Sequence, residues 1–146
     1  MGRTVSELNN SLVFDFTVNH HVKTIWNMWT NEEGLKKSFS PNLSCDFRVN
    51  GKFEIYFDMD APMGSRGSEG MQILAIEPQE MLSFTWNQPP VFSAIRGQQT
   101  FVQLQLVPLG LEHEKTRVVF SNTGYGYGDE WQKAREYFRH AWGDIV

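Results

Sequence analysis

The chain is short of three features: cysteine, clustered basic residues and long apolar runs. Its one cysteine, Cys45, has no partner for an internal disulfide, which agrees with a reducing cytoplasm. The 13 Lys and Arg are scattered among 17 Asp and Glu, so the cation clusters that bind nucleic acid are missing. No apolar stretch reaches the roughly 18 residues that a membrane helix needs. We therefore expect a soluble cytoplasmic protein without nucleic-acid or membrane partners.

The sequence also lacks the motifs of common catalytic and metal sites. His20 and His21 are adjacent at a helix start and so point in different directions, which makes them poor joint metal ligands. His113 and His140 have no partner at metal-ligand spacing. No G-x-S-x-G elbow is present, and Cys45 has no obvious base. We expect no metal and no cofactor, and we favour binding over catalysis while leaving an enzymatic activity open.

Aromatic side chains, in contrast, are plentiful. Eleven Phe, five Trp and four Tyr make up 14% of the 146 residues. This length is typical of one domain that buries about 70% of its unfolded surface. Residues 1–10 are polar and are predicted to be a flexible N-terminus, and residues 11–146 are predicted to be the single domain.

The order of hydrophobic patterns predicts an α+β fold. Residues 11–18 alternate like a strand, and the next segment changes to helical spacing with Val22, Ile25, Trp26 and Trp29. A second short helix follows, then six strands joined by short loops, and finally one long helix. This order indicates a curved antiparallel sheet of about seven strands around a C-terminal helix.

Three alternating glycines, Gly124, Gly126 and Gly128, stand between the last strand and the final helix. Such a turn could cradle a phosphate, but a dinucleotide loop would have its third glycine where Asp129 stands, and a carboxylate repels phosphate. No strand follows to complete that unit. The glycines therefore predict a sharp corner, and Asp129 with Gln132 predicts a helix cap.

The final helix carries one continuous apolar stripe, which should face the concave side of the sheet. The stripe consists of Trp131, Ala134, Phe138, Ala141, Trp142 and Ile145. Opposite it, alternation along the strands places a second set of apolar side chains. That set is Phe53, Ile55, Phe57, Leu82, Phe84, Trp86, Val102, Leu104, Leu106, Val118 and Phe120. Periodicity alone leaves two readings open, a collapsed aromatic core or a cavity between the two sets.

Four segments carry a resemblance to a known family. They are VKTIWNMWT, VNGKFEIYF, EGMQILAIEPQEMLSFTW and TRVVFSNTGYGYGDEWQKAREYFRHAW. The arrangement is similar to the helix-grip fold of the START/Bet v 1-like (SRPBCC) superfamily, and within it to the domain family named after the activator of Hsp90 ATPase. The chain departs from that pattern at Ser38-Phe39, where Trp-Phe is usual, and at Asn122, where a histidine is common.

The resemblance favours a cavity that binds a small hydrophobic ligand between the sheet and the C-terminal helix. It also implies two alternatives, an Hsp90 co-chaperone-like interaction protein and a cyclase or dehydratase type of enzyme. Among the inward positions, Asn122 and the flanking Tyr137 are the polar groups that could orient a ligand. The predicted cavity residues are Trp26, Phe39, Phe53, Ile55, Phe57, Phe84, Trp86, Leu104, Phe120, Asn122, Tyr137, Phe138 and Trp142.

Two loops are candidates for the mouth of the cavity. Val91, Phe92 and Ile95 are apolar where a hairpin tip should be polar, and Met59 and Met63 flank a glycine-rich loop. The residues from Val91 to Ile95 could equally form a contact in a homodimer. The sequence leaves these two readings open.

Overall fold

The structure is a computed structural model, and it describes residues 4–6 and 11–145, with side chains for residues 11–143. Eight strands and three helices follow one another in the described chain. The strands are β1 Thr4–Ser6, β2 Leu12–Val18, β3 Asn42–Cys45, β4 Phe53–Tyr56, β5 Ile73–Glu77, β6 Met81–Trp86, β7 Thr100–Leu109 and β8 Lys115–Thr123. The helices are α1 Val22–Thr30, α2 Glu32–Ser38 and α3 Asp129–Ile145.

The predicted α+β helix-grip fold is confirmed. Six strands form one antiparallel sheet in the order β1-β2-β8-β7-β6-β5, and α3 follows the last of them. The prediction of about seven strands in one sheet differs slightly, because β3 and β4 pair separately as a two-stranded sheet. Isolated bridges at Lys52–Gln72 and Tyr56–Gly67 tie this small sheet to the chain leading into β5.

The N-terminal segment contributes a strand to the sheet. Thr4–Ser6 pairs antiparallel with β2, with Thr4 opposite Asp15. This lies within residues 1–10, for which the sequence predicted flexibility; the rest of that segment is outside the described residues. Extending the sheet by one short strand covers part of the edge that β2 would otherwise present.

Strand alternation places the apolar side chains as predicted, with one exception. Every residue of the predicted inward set on β4, β6, β7 and β8 is buried. Phe57 is instead 50% exposed, because β4 ends at Tyr56 and the chain then turns to bond its Phe57 N–H to the Arg66 carbonyl at 2.7 Å. Phe57 therefore lies at the edge of the core.

The glycine corner turns the chain and makes room for a ring. Gly124 and Gly128 have positive φ angles of 91° and 112°, which side chains disfavour. A Cβ on Gly126 would lie 2.5 Å from Nε1 of Trp131, so the backbone there is packed directly against the first ring of α3. The glycines therefore form a sharp corner that sets the direction of α3, in agreement with the prediction.

The predicted cap at Asp129 is wrong by one residue. The helix begins at Asp129 itself, and the Gly128 carbonyl accepts the Gln132 N–H at 3.0 Å. Gly128 therefore takes the position before the helix, with a positive φ that glycine adopts without strain. Asp129 and Glu130 stand in the first turn, where their charges complement the helix dipole.

In the part of the chain that the structure describes, no helix is long and apolar enough to cross a membrane.

Candidate ligand cleft beside the C-terminal helix

Aromatic rings fill the space between the sheet and α3. The Trp142 ring lies at the centre, with its centroid 5.0 Å from that of Trp86, 4.9 Å from that of Phe120 and 6.0 Å from that of Phe138. On the sheet, the Phe53 and Phe84 rings stack at 4.1 Å. The separations around Trp142 are ordinary for packed aromatic pairs. The interior around Trp142 is therefore a packed core.

A fully buried amide, that of Asn122, holds the helix onto the sheet. Its Oδ1 accepts the Trp142 Nε1–H at 2.9 Å and the Tyr125 hydroxyl at 2.6 Å. Its Nδ2 donates to Thr100 Oγ1 at 2.9 Å and to the Phe101 carbonyl at 3.2 Å. All four hydrogen bonds that an asparagine side chain usually makes are thus formed within the protein. Asn122 stabilises the core and is not available to orient a ligand.

Tyr125 is a neutral member of this network. Burial raises the pKa of its hydroxyl far above the ordinary value of 10.0. The hydroxyl therefore remains a hydrogen-bond donor to Asn122 at every pH at which the protein would normally be handled. The group acts as a structural link, since its proton is committed to the amide oxygen.

An open cleft remains beside the packed core. Two adjoining hollows of about 220 Å³ and 180 Å³ share four lining residues, Phe57, Trp86, Tyr137 and Phe138. Ala141 and Trp142 complete the smaller hollow, which is mainly apolar. Phe57 and Tyr137 are 50% and 49% exposed, so they form the two lips of the cleft.

The larger hollow extends from the rings to a polar rim made by two loops. Its further lining comes from residues 58 and 65–67 of one loop and 87–90 and 96 of the other. Arg96 joins the loops: its Nη2 donates to the Gly64 carbonyl at 2.6 Å and to the Gly67 carbonyl at 3.0 Å, and its Nη1 donates to the Gln88 carbonyl. Burial lowers the pKa of Arg96, although the guanidinium stays charged.

Glu69 gives the glycine-rich loop its shape. Its carboxylate accepts the backbone N–H of Arg66 at 2.9 Å and of Gly67 at 2.7 Å, and it also accepts the Gly64 N–H. The same carboxylate lies 3.4 Å from Nη2 of Arg96. An internal ion pair therefore holds the two loops together, and Glu69 already occupies the backbone N–H groups of Gly64, Arg66 and Gly67.

Gln88 is the unusual polar group of the cleft. It belongs to the lining of the larger hollow, yet its side chain is 0% exposed. Nε2 reaches the Gln98 carbonyl at 3.5 Å, the outer limit for a hydrogen bond. Its Oε1 is buried without a hydrogen-bond partner among the described residues. An unsatisfied buried acceptor is uncommon in folded proteins.

The structure divides the predicted cavity residues into two groups. Five lie in the wall of the cleft: Phe57, Trp86, Tyr137, Phe138 and Trp142. The other eight belong to or pack on the core without lining the cleft: Trp26, Phe39, Phe53, Ile55, Phe84, Leu104, Phe120 and Asn122. Trp86, Phe138 and Trp142 belong to the core as well as to the wall of the cleft. The binding of a ligand by these residues stays a prediction, but the open space touches the first group.

None of the predicted mouth residues lines either hollow. Phe92 packs edge to face on the Tyr137 lip at 6.3 Å, and Ile95 is buried in the core. Met59, Met63 and Val91 are exposed. Their positions leave both earlier readings, a mouth and a homodimer contact, as predictions.

The polar rim was missed at the sequence level, although one signal for it existed. Leu82, Phe84 and Trp86 point inward at alternate positions, and continuing that alternation beyond the end of β6 reaches Gln88. Arg96 had no such signal, because its role depends on carbonyl groups 29 and 32 residues away in the chain.

The described residues offer little acid–base or metal chemistry near the cleft. No group of three or more His, Cys, Asp or Glu residues in the described chain could hold a metal ion. Burial raises the pKa of Cys45 to about 11, so its thiol is protonated and unreactive at neutral pH. The arrangement is suited to binding through rings and hydrogen bonds.

A sheet that wraps a C-terminal helix through an aromatic core, with a cleft at the side of that helix, defines a protein of the helix-grip class. The model of the family described as Activator of Hsp90 ATPase homolog 1-like protein matches residues 19–146. The chain belongs to this family. Comparison with curated protein sequences finds no match.

Solved structures of low sequence identity share the fold over nearly the whole chain. Protein MLL2253 from Mesorhizobium loti is 19% identical with a TM-score of 0.69, over 92% of this chain and 90% of that one. The Aha1 dimer from Colwellia psychrerythraea is 15% identical with a TM-score of 0.67, over 92% and 89%. PFC0360w, an HSP90 activator from Plasmodium falciparum, is 13% identical with a TM-score of 0.68, over 92% and 89%.

Proposed function

We propose that this protein binds a small hydrophobic molecule in the cleft between Phe57 and the side of α3 that carries Tyr137, Phe138 and Ala141. The observation that carries the proposal is the pair of adjoining hollows whose shared walls are aromatic and whose lips are half exposed. The ligand lies against the packed core, which differs from the enclosed cavity that the family resemblance implied. Aromatic walls offer large apolar area in fixed orientations, which favours flat ligands.

The size of the cleft limits the ligand. Ligand sites commonly measure about 300–1,000 Å³, and the two hollows together reach only the lower part of that range. A molecule of one or two rings fits this space, whereas a steroid or a long acyl chain would extend into solvent. The apolar hollow beside Ala141 takes the ring, and the larger hollow takes the rest of the molecule.

Tyr137 provides the sharpest test of the site. We expect 2-naphthol to shift backbone NMR signals around Trp86 and Phe138, and we expect Tyr137→Ser to weaken its binding about fivefold or more by removing one lip. Losing one ring contact of about 1 kcal/mol gives that factor. Because Tyr137 is 49% exposed but packs on Phe92, the substitution should cost only about 1–2 kcal/mol of stability, and the variant should remain folded for the binding measurement.

Tyr127→Ser is the matched control, since Tyr127 is 88% exposed and lies outside both hollows. It should bind 2-naphthol as tightly as the wild-type protein. Native mass spectrometry of the purified protein provides a second measurement by looking for a retained small molecule. Equal weakening by both substitutions, or neither NMR shifts nor a retained molecule, contradicts the proposal.

A second candidate function is stimulation of Hsp90. The family's description and the fold shared with the Plasmodium falciparum HSP90 activator favour it. If this candidate is correct, the purified protein should be retained by purified Hsp90 and should raise its rate of ATP turnover. A protein that is neither retained nor active, with a family member known to stimulate the same Hsp90 as positive control, excludes it.

The cyclase or dehydratase alternative loses support from the site itself. Its best inward polar candidate, Asn122, already makes four hydrogen bonds inside the protein. Tyr137 remains at the lip of the cleft, where it can contact a ligand. The described cleft thus supports binding better than it supports proton transfer.

A further inference from the structure

The unsatisfied acceptor on Gln88 restricts what the cleft can bind. We propose that the ligand carries a hydrogen-bond donor, such as a phenolic hydroxyl or an amide N–H, that bonds to Oε1 of Gln88 while its ring lies between Trp86 and Tyr137. This inference rests on the proposed ligand-binding function and adds to it the chemical class of the ligand, a flat aromatic donor.

The orientation of the Gln88 amide follows from its neighbour. Nε2 faces the Gln98 carbonyl at 3.5 Å, and the opposite orientation would bring two oxygen atoms together. The end of the Gln88 amide that has no partner is therefore its oxygen, Oε1, a hydrogen-bond acceptor. Since the backbone carbonyl of Gln88 already accepts from Arg96, the buried Oε1 is the acceptor that still requires a donor.

The surroundings favour a neutral donor over an anion. The guanidinium of Arg96 is engaged by the carbonyl groups of Gly64, Gly67 and Gln88, and Glu69 faces it as well. Asp58 and Arg66 also line the larger hollow, and they carry opposite charges. With the Arg96–Glu69 pair, the charged side chains of the rim therefore balance, which suits a neutral ligand.

Binding also requires a small movement of the wall. Gln88 belongs to the lining of the larger hollow but has no solvent-exposed surface, so a ligand reaches Oε1 only when the wall shifts. The ligand donor gains a hydrogen bond that the unliganded protein leaves unmade, which compensates for that displacement. A site built around such a group discriminates strongly against analogues that lack the matching partner.

A pair of probes with the same rings tests the inference. 2-Naphthol has a hydroxyl donor, and 2-methoxynaphthalene replaces it with a methyl ether that has none. We expect the wild-type protein to bind 2-naphthol about tenfold more tightly in titrations followed by tryptophan fluorescence. In Gln88→Met, which keeps the length of the side chain and removes the acceptor, the preference should fall below about twofold.

Comparing the wild type with Gln88→Met removes the steric effect of the methyl group in 2-methoxynaphthalene, because that methyl group has the same bulk in both proteins. The unliganded Gln88→Met protein should have a melting temperature close to that of the wild type, since it loses an unsatisfied acceptor together with a hydrogen bond at the outer limit of length. A preference that persists unchanged in Gln88→Met overturns the inference, as does the absence of any preference in the wild type.

The outcomes separate this inference from the function on which it rests. Equal binding of both probes in the cleft supports the proposed function but overturns the proposed role of Gln88. This is the result expected when an internal water molecule donates to Oε1. Failure of both probes to bind overturns this inference, and it overturns the ligand-binding proposal as well when native mass spectrometry finds no retained small molecule.

Discussion

Replacing Trp142 with alanine should lower the free energy of unfolding by about 3–5 kcal/mol, the usual range for deleting a large buried aromatic ring. Its ring is fully buried among those of Trp86, Phe120 and Phe138, and its Nε1–H bonds to Asn122. For a domain near this size the melting temperature should fall by roughly 10–15 °C. Urea denaturation followed by circular dichroism measures the change directly.

The same substitution should also open the cavity that the native ring fills. Removing an indole leaves a space on the order of 150 Å³, comparable with engineered apolar cavities that bind benzene. Indole should therefore raise the melting temperature of Trp142→Ala more than that of the wild type. It should outperform 1-methylindole, which has no N–H for Asn122.

Trp142→Phe is the control for this experiment, because it keeps a ring and loses the hydrogen bond to Asn122. We expect it to cost about 1–3 kcal/mol, since the amide oxygen retains Tyr125 as a partner. Equal losses for the Phe and Ala variants would show that packing around Trp142 contributes little. Such a result would contradict the description of the interior as a packed aromatic core.

The fold was predictable because its determinants are local and repetitive. Alternation along β6, β7 and β8 fixed which side chains face inward, and helical spacing fixed the apolar stripe of α3. The prediction failed at Phe57, because where a strand ends depends on a hydrogen bond to Arg66 across a loop. That contact leaves no periodic trace in the sequence.

The candidate site was predictable only in part, for a physical reason. Ring-bearing positions such as Trp86 and Phe138 were identified from periodicity, but periodicity does not distinguish filled from empty space. Whether rings meet depends on side-chain orientations that only the assembled core determines. The predicted ligand-orienting role of Asn122 was a plausible interpretation of a buried polar position, and the structure shows that the protein itself supplies its partners.

Asn122→Leu should be among the most destabilising polar substitutions in the chain, with an expected loss of about 3–5 kcal/mol. It leaves the Trp142 indole N–H and the Tyr125 hydroxyl buried without an acceptor, and each such group costs about 1–3 kcal/mol. The Thr100 hydroxyl and the Phe101 carbonyl lose a donor as well. Guanidinium denaturation of the two proteins measures the difference.

The stability that Asn122→Leu loses should depend on the hydrogen-bond partners of Asn122. In a Tyr125→Phe background the same substitution should cost about 1–2 kcal/mol less, because one orphaned group has already been removed. Additive costs would show that the four hydrogen bonds do not act as a network. A histidine at position 122, common in the family pattern, has only two ring nitrogens and cannot replace all four bonds.

Asn122→Asp tests separately the hydrogen-bond acceptor and the hydrogen-bond donor of the Asn122 side chain. It keeps an oxygen for Trp142 and Tyr125 but turns the group that donates to the Phe101 carbonyl into an acceptor. Burial should raise the pKa of the new carboxyl above its unfolded value of about 3.9. The protonated form then persists in the folded protein, so the variant should be most stable below pH 4 and lose about 1.4 kcal/mol per pH unit above it, until the folded-state pKa is reached. A variant whose stability did not change with pH relative to the wild type would mean that position 122 is open to water, and the buried link between helix and sheet would have to be rejected.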